Sequence, residues 1–156
     1  MKLEVWPKFV VALAFGTMLS LPSAAEEAKR VDFTVQETLP QVTQGSIVKG
    51  GLDGCPSPVI RTTMAGSSQS HGAQVFNGSK KFDCGAGNTL TLAFRVSVSG
   101  CDSTSSGVWQ VTRRTGSFAK AKGSGKLAGT YMLGKQRGTF CKADGLLDHY
   151  TGRLSR

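Results

Sequence analysis

The sequence predicts an all-β protein that folds as a single eight-stranded antiparallel β-barrel, with a β-sandwich as the alternative. Helical periodicity is nearly absent after the first 25 residues, and short β-branched and aromatic runs recur between glycine-rich turns. Residues 88–99 alternate strictly, with large apolar side chains on one face and small or polar ones on the other. A closed barrel leaves no strand edge unpaired, so it needs no covering helix.

Residues 1–25 have the pattern of a secretory signal peptide, and residues 26–156 are predicted to form one domain. A lysine precedes an apolar run at residues 9–19, and small residues precede the expected cleavage after Ala25. A retained membrane anchor is the alternative, but the run is shorter than the roughly 20 residues a spanning helix needs. We therefore expect a secreted or periplasmic protein without a transmembrane span in its mature form.

Eight segments within the domain have strand-like composition and are separated by Gly, Ser and Asp turns. They are residues 31–39, 58–65, 72–82, 88–99, 108–114, 126–133, 137–142 and 146–154. Residues 45–54 and 66–70 are rich in glycine and serine and are predicted to be loops. Without a linker or an internal repeat, the chain reads as one domain.

The four cysteines, Cys55, Cys84, Cys101 and Cys141, are predicted to form two disulfides because an exported protein folds in an oxidising compartment. A four-cysteine zinc site is the alternative, but no CxxC pair occurs and the spacings are 29, 17 and 40 residues. An extended strand between Cys84 and Cys101 would separate them by roughly tens of Å. We therefore favour Cys55–Cys84, with Cys101–Cys141 by elimination, and we expect no metal site and no cofactor.

The best candidate for a functional polar group is Glu37. It shares the parity of Val31, Phe33 and Val35, so a regular strand would turn its carboxylate into the barrel. There it could act as an acid of raised pKa or as a substrate anchor. The alternative is a strand that ends or bulges before Glu37 and leaves it in solvent.

Three further residues, Tyr131, Asp148 and Tyr150, are predicted to join Glu37 as ligand-binding groups in the lumen. Asp148 and Tyr150 share the parity of Leu146, and Tyr131 is in step with apolar neighbours on its own strand. A purely structural role is the alternative, because a buried tyrosine needs only one polar partner. The two histidines are predicted to be solvated, and no serine or cysteine has a nucleophile motif around it.

The chain is basic, with a formal net charge of +9. Five cations crowd one strand–turn–strand segment and define a predicted anion patch: Arg113, Arg114, Lys120, Lys122 and Lys126. Such a patch suits an acidic polysaccharide or a membrane surface, although a merely solvated basic face is the alternative. Specific nucleic-acid binding is not expected, because Trp109 and Phe118 are better placed as core residues than as base-stacking platforms.

A resemblance to a known superfamily rests on residues 109–125. Thr115, Gly116, Phe118, Ala121 and Gly123 match a Thr-Gly-x-Phe-x-x-Ala-x-Gly segment. The chain resembles the allene oxide cyclase and dirigent barrels, and more closely the uncharacterised bacterial secreted proteins of that superfamily. The likeness extends to the turn at residues 82–84 and to the closing strand at residues 148–154.

The resemblance implies an eight-stranded antiparallel barrel with an apolar lumen, in which the plant members cyclise an unstable epoxide or steer radical coupling. Arg113 and Arg114 stand where the superfamily usually has glycines, and the lumen residues of the plant enzymes do not align with this chain. The fold therefore carries over and the catalysis does not.

Together these observations predict a non-enzymatic, exported barrel that binds an apolar small molecule in its lumen, with self-association left open. Two alternatives remain. One is a cofactor-independent isomerase or cyclase that uses Glu37. The other is a basic surface module that binds acidic polysaccharide or a membrane surface.

Overall fold

The computed structural model describes residues 27–39, 44–99, 104–133 and 143–156. Eight strands form one closed antiparallel sheet, in which each strand pairs with the next along the chain and the last pairs with the first. The predicted barrel is therefore confirmed in preference to the sandwich. The strands are β1 Lys29–Thr38, β2 Gly45–Gly50, β3 Val59–Ser70, β4 Ala73–Asp83, β5 Thr89–Ser99, β6 Thr104–Thr115, β7 Lys122–Leu133 and β8 Ala143–Ser155.

The predicted loop at residues 45–54 is wrong for its first six residues, and the predicted loop at residues 66–70 is wrong throughout. Residues 45–50 form β2. Their backbone pairs with β1 even though the glycines of this segment have a low propensity for strands. Residues 66–70 continue β3 and pair with β4 up to a two-residue turn at His71 and Gly72, where φ is 50° and 79°. Two consecutive positive φ values are the geometry of the tight hairpin turns that match strand twist. The predicted strand at 137–142 lies outside the described residues.

One end of the barrel, called here the closed end, is sealed by chain connections. It is formed by the segments that join β2 to β3, β4 to β5 and β6 to β7, at residues 51–58, 84–88 and 116–121. Phe118 is fully buried there, as predicted for a core residue. The predicted disulfide Cys55–Cys84 is confirmed and joins two of these connections, with its Cα atoms 5.0 Å apart.

The middle of the barrel is filled by aromatic side chains. Tyr150 stacks on Phe33 with ring centroids 4.9 Å apart, and Phe82 meets Phe33 edge to face at 5.7 Å. All three rings are buried, so this part of the lumen is a packed core and not a channel. Any internal space must therefore lie nearer the opposite end.

Trp109 of β6 completes this core, and its side chain reaches over β7 to β8. Its indole Nε1 donates a hydrogen bond of 3.1 Å to the carbonyl of Thr151. A side chain at Gly125 would collide with that carbonyl and with the indole, so glycine is required for the close approach.

Some predictions fall outside the described residues. They include the signal peptide and the pairing Cys101–Cys141, because residues 1–26, 100–103 and 134–142 are not described. In the described part of the chain, no helix has the length and apolar character to cross a membrane. The Cys55–Cys84 bond is compatible with an extracellular or periplasmic location, where disulfides persist.

Candidate functional site

A cavity of about 280 Å³ lies within the barrel at the end opposite the closed end, called here the cavity end. Its walls come from seven of the eight strands or their ends, and most of the lining is apolar. The lining residues are Glu37, Leu39, Thr62, Met64, Phe76, Phe94, Val96, Ser105, Leu127, Tyr131, Leu146 and Asp148.

Glu37 faces the interior, as its parity predicts. β1 alternates regularly, with Val31, Phe33, Val35 and Glu37 buried and their neighbours more exposed. The strand continues in register with β8 through Glu37, so the alternative of a strand ending before this residue is wrong. Its carboxylate is therefore held inside the barrel rather than in solvent.

The carboxylate of Glu37 belongs to a buried charge cluster with Lys80 and Asp148. Lys80 Nζ lies 2.9 Å from Glu37 Oε2 and 2.7 Å from Asp148 Oδ2. The Thr62 hydroxyl donates a hydrogen bond of 2.5 Å to the other Glu37 oxygen, Oε1. The side chains of Lys80 and Glu37 are 0% and 1% exposed, whereas that of Asp148 keeps 8%. Asp148 is therefore the member of the cluster with the most exposed side chain.

The ammonium of the cluster lies on the side of the aromatic core. Lys80 does not line the cavity, and its Nζ is 5.6 Å from the centre of the Tyr150 ring. The two carboxylates thus stand between the lysine and the cavity. With both carboxylates ionised, the cluster carries one uncompensated negative charge, which burial makes costly unless a further cation or donor faces it.

Tyr150 is fully buried beside this cluster. Its hydroxyl has no hydrogen-bond partner among the described residues. Burial raises the pKa of the phenol well above its ordinary value, and the carboxylates of Asp148 and Glu37 raise it further. The Asp148 carboxylate also raises this pKa as the acceptor beside the hydroxyl. Tyr150 is therefore a neutral phenol, and no charge of its own offsets the cluster.

Tyr131 lines the cavity and is half-buried, so its predicted place in the lumen agrees with the structure. Burial raises the pKa of its phenol, the nearby Ser105 hydroxyl opposes that rise, and Asp148 adds to it. Ser105 and Asp148 are the two cross-strand partners of Gly129. A side chain at position 129 would collide with Ser105 Oγ and lie 3.2 Å from Asp148 Oδ1. A glycine at position 129 therefore avoids a clash with these two polar groups.

The residues of the predicted anion patch are all exposed, and none forms an ion pair with a residue in the described ranges. They do not form one compact site. Arg114 and Lys122 line a shallow outer groove together with Arg153, whereas Lys126 lies four positions further along β7. Lys120 lies in the connection before β7.

Arg113 belongs instead to a cationic row across the outer wall, defined by Arg61, Lys81 and Arg113. Arg61 pairs directly with Lys81, and Thr91 links Lys81 to Arg113. Neighbouring strands are about 4.8 Å apart, so Arg61 and Lys81 are adjacent on β3 and β4, and Arg113 lies two strands beyond Lys81, on β6. Sequence reasoning missed this row because it depends on strand register.

The histidines lie outside the cavity. His71 is exposed at the β3–β4 turn, and His149 is exposed on β8 with its Nε2 2.9 Å from Asp32 Oδ1. Nowhere in the described ranges do three His, Cys, Asp or Glu side chains come together as a metal site would require.

Lys80 and Thr62 are the site residues that sequence reasoning missed. Lys80 shares the parity of Phe76 and Phe82, and this signal could have placed it inside. Thr62 pairs with Lys80 directly across the β3–β4 ladder.

No protein-family model, no curated protein and no solved structure matches this chain. What the site does must therefore follow from the geometry and charge of the cavity.

Proposed function

We propose that the protein is an exported barrel that binds a small, largely apolar molecule in the cavity at its cavity end. The observation that carries the proposal is a cavity of about 280 Å³ with mainly apolar walls and a few convergent polar groups. Small-molecule sites typically have this composition and lie in the mouths of β-barrels. The resemblance to bacterial secreted barrels with an apolar lumen supports the same proposal.

Binding is favoured over proton-transfer catalysis by Glu37. One of its carboxylate oxygens accepts the Thr62 hydroxyl and the other pairs with Lys80, so both are already engaged. The side chain is also 1% exposed, which leaves little surface for a substrate to meet. A general base needs hydrogen-bond access to the proton that it removes.

A matched pair of substitutions tests the binding site. Val96 is 7% exposed and lines the cavity, whereas Val108 is 57% exposed on the outer wall. Val96→Phe should fill part of the cavity, and Val108→Phe adds the same side chain outside it. The readout is a titration of each protein with n-heptanol, a small neutral apolar probe, followed through backbone amide NMR shifts.

We expect saturable shifts at cavity residues in the wild-type protein and in Val108→Phe, and at least about tenfold weaker binding in Val96→Phe. A native mass spectrum of the exported protein should also show a non-covalent adduct that organic extraction recovers. Absence of saturable binding in the wild type, or equal binding by Val96→Phe, would contradict the proposal.

A second function is favoured by the cationic row. Arg61, Lys81 and Arg113 are exposed and lie in one row across β3 to β6, which gives this part of the outer wall a positive charge. We propose acidic polysaccharide as the partner that such a row would attract. This binding is independent of the cavity, since the row lies on the opposite side of the barrel wall.

A further inference from the structure

The polar side of the cavity offers hydrogen-bond acceptors and negative charge. Of the charged side chains in the described ranges, only the carboxylates of Glu37 and Asp148 line it. The neutralising ammonium of Lys80 lies behind them, towards the Tyr150 ring. A molecule in the cavity therefore faces carboxylate oxygens and not the lysine.

The hydrogen bonds of Glu37 and Asp148 indicate which carboxylate can accept a donor from a ligand. Glu37 Oε1 accepts from Thr62, Glu37 Oε2 pairs with Lys80, and Asp148 Oδ2 accepts from Lys80. The Lys80 ammonium reaches Asp148 through Oδ2, and the Tyr150 hydroxyl is the other donor beside this carboxylate. The Asp148 side chain is 8% exposed and borders the cavity, and Lys80 engages only one of its oxygens, so this carboxylate can accept a further hydrogen bond.

Ser105 and Asp148 meet at the cavity wall beside Gly129. Gly129 lies between Ser105 and Asp148, and a side chain there would come within 3.2 Å of Asp148 Oδ1. Ser105 adds a second acceptor oxygen beside the first. One carboxylate and one hydroxyl therefore border the same part of the cavity.

The charge balance decides which kind of group is favoured. Two carboxylates share one ammonium in a site of low dielectric, and the neighbouring Tyr150 is a neutral phenol. A ligand carboxylate would be repelled by the excess negative charge, and a neutral hydroxyl would leave it uncompensated. A ligand ammonium would both donate to Asp148 Oδ1 and neutralise the cluster.

We propose that the cavity selects apolar molecules that carry a protonated amine, with the ammonium bound at Asp148 Oδ1 beside Ser105 and Gly129. This inference rests on the proposed binding function and specifies the chemical class of its ligand.

Three probes of equal chain length test it on the wild-type protein: n-heptylamine, n-heptanol and n-heptanoate, titrated at pH 7 and followed by amide NMR shifts. We expect the ammonium to bind at least about tenfold more tightly than the alcohol, and the carboxylate to bind most weakly. If the alcohol or the carboxylate binds at least as tightly as the amine, the inference is overturned while the binding function stands. If none of the three binds at the cavity, the binding function itself fails.

A matched pair of variants locates the effect. Asp148→Asn removes the excess charge and leaves Lys80 paired with Glu37 as a neutral couple, so we expect it to fold. Asp32→Asn makes the same change on the outer wall, where Asp32 meets His149. In Asp148→Asn the amine and the alcohol should bind with about equal affinity, whereas the preference for the amine should persist in Asp32→Asn. A preference retained by Asp148→Asn would overturn the assignment, and the wild-type comparison decides the ligand class even if that variant does not fold.

Discussion

Tyr150 places a hydroxyl in the core without giving it a hydrogen-bond partner in the described residues, although its ring stacks on Phe33. Tyr150→Phe keeps the stacked ring and removes an unsatisfied polar atom. At pH 7 we expect the free energy of unfolding to stay the same or to rise by up to about 1 kcal/mol, measured by urea denaturation. A loss of more than about 1 kcal/mol would mean that the hydroxyl is paired in solution.

The same residue predicts a loss of stability at alkaline pH. Burial raises the pKa of Tyr150 in the folded state above the unfolded value of about 10. Above that pH the unfolded chain releases this proton while the folded chain keeps it, so stability falls by up to about 1.4 kcal/mol per pH unit.

Tyr150→Phe should reduce this alkaline slope, measured as the urea midpoint between pH 9 and 11. Tyr131→Phe is the matched control, because Tyr131 is only half-buried and should contribute a smaller part of the slope. An unchanged slope in Tyr150→Phe would contradict the assignment of this proton to Tyr150.

Lys80 is the residue whose loss should cost most stability. Lys80→Met leaves Glu37 and Asp148 buried without their shared cation, so we expect the free energy of unfolding to fall by about 3–5 kcal/mol. The matched control is Lys81→Met on the exposed face, which should change stability by less than about 0.5 kcal/mol.

Neutralising the whole buried charge cluster should recover most of that loss. The triple variant Glu37→Gln, Lys80→Met, Asp148→Asn removes both charges left by the single substitution, and groups of similar volume replace them. Thermal and urea denaturation of the single and triple variants provide the comparison. A triple variant as unstable as Lys80→Met would show that packing, and not the unpaired charge, sets the cost.

Residue parity alone predicts the inward orientation of Glu37, Asp148 and Tyr150. Parity also places Lys80 on the inward face, but it does not single this residue out, because a lysine is expected in solvent unless carboxylates meet it inside. Its partner Asp148 is 68 positions away in the sequence, and only the closure of the barrel brings the two together. The sequence therefore indicated the acidic half of the cluster and not the cation that balances it.

At the scale of elements, strands with a strong apolar alternation were predictable and short polar ones were not. β5 alternates strictly and was predicted almost to its ends. β2 and the second half of β3 contain mainly Gly, Ser and polar residues, so their composition resembles that of loops. Their strand structure comes from the backbone pairing that neighbouring strands offer, which no local pattern records.

The Cys55–Cys84 disulfide joins two connections of the closed end across 29 positions in sequence. Replacing both cysteines with alanine should lower the free energy of unfolding by about 2–4 kcal/mol, because the unfolded chain gains conformational freedom. Urea denaturation under non-oxidising conditions measures the change. The affinity for n-heptanol should be unaffected, since the closed end is remote from the cavity, and a parallel loss of affinity would contradict that separation.

At the scale of the molecule, the charges are segregated. The exposed ion pairs of the described chain lie on β1, β8 and the closed end, such as Lys29 with Asp53 and Asp32 with His149. The cationic row on β3, β4 and β6 has no acidic partner among the described residues. The outer wall therefore has one side on which positive charge is left to solvent or to a partner.

Heparin chromatography distinguishes this row from net charge alone. We expect the wild type to be retained and to elute with salt, because such attraction is screened. Changing Arg61, Lys81 and Arg113 to Gln should lower the eluting salt concentration more than changing Lys120, Lys122 and Lys126 to Gln. Equal shifts from the two triple variants would mean that total charge controls retention, and absence of wild-type retention would reject the polysaccharide partner.

The barrel as a whole was predictable from alternation, glycine spacing and the motif at residues 109–125. Its ligand class was not, because the charge facing the cavity depends on which strands lie across the lumen from one another.

Among the described residues, β2 and β3 share the fewest backbone pairs of any neighbouring strands, through Gly45 and Ile60 alone. Parting two strands there breaks few backbone hydrogen bonds, so amides along β3 should exchange with deuterium by local opening, faster than those of β5. Thr62 and Met64 of β3 belong to the cavity wall. We therefore expect local opening at this junction to expose the part of the cavity wall that β3 forms.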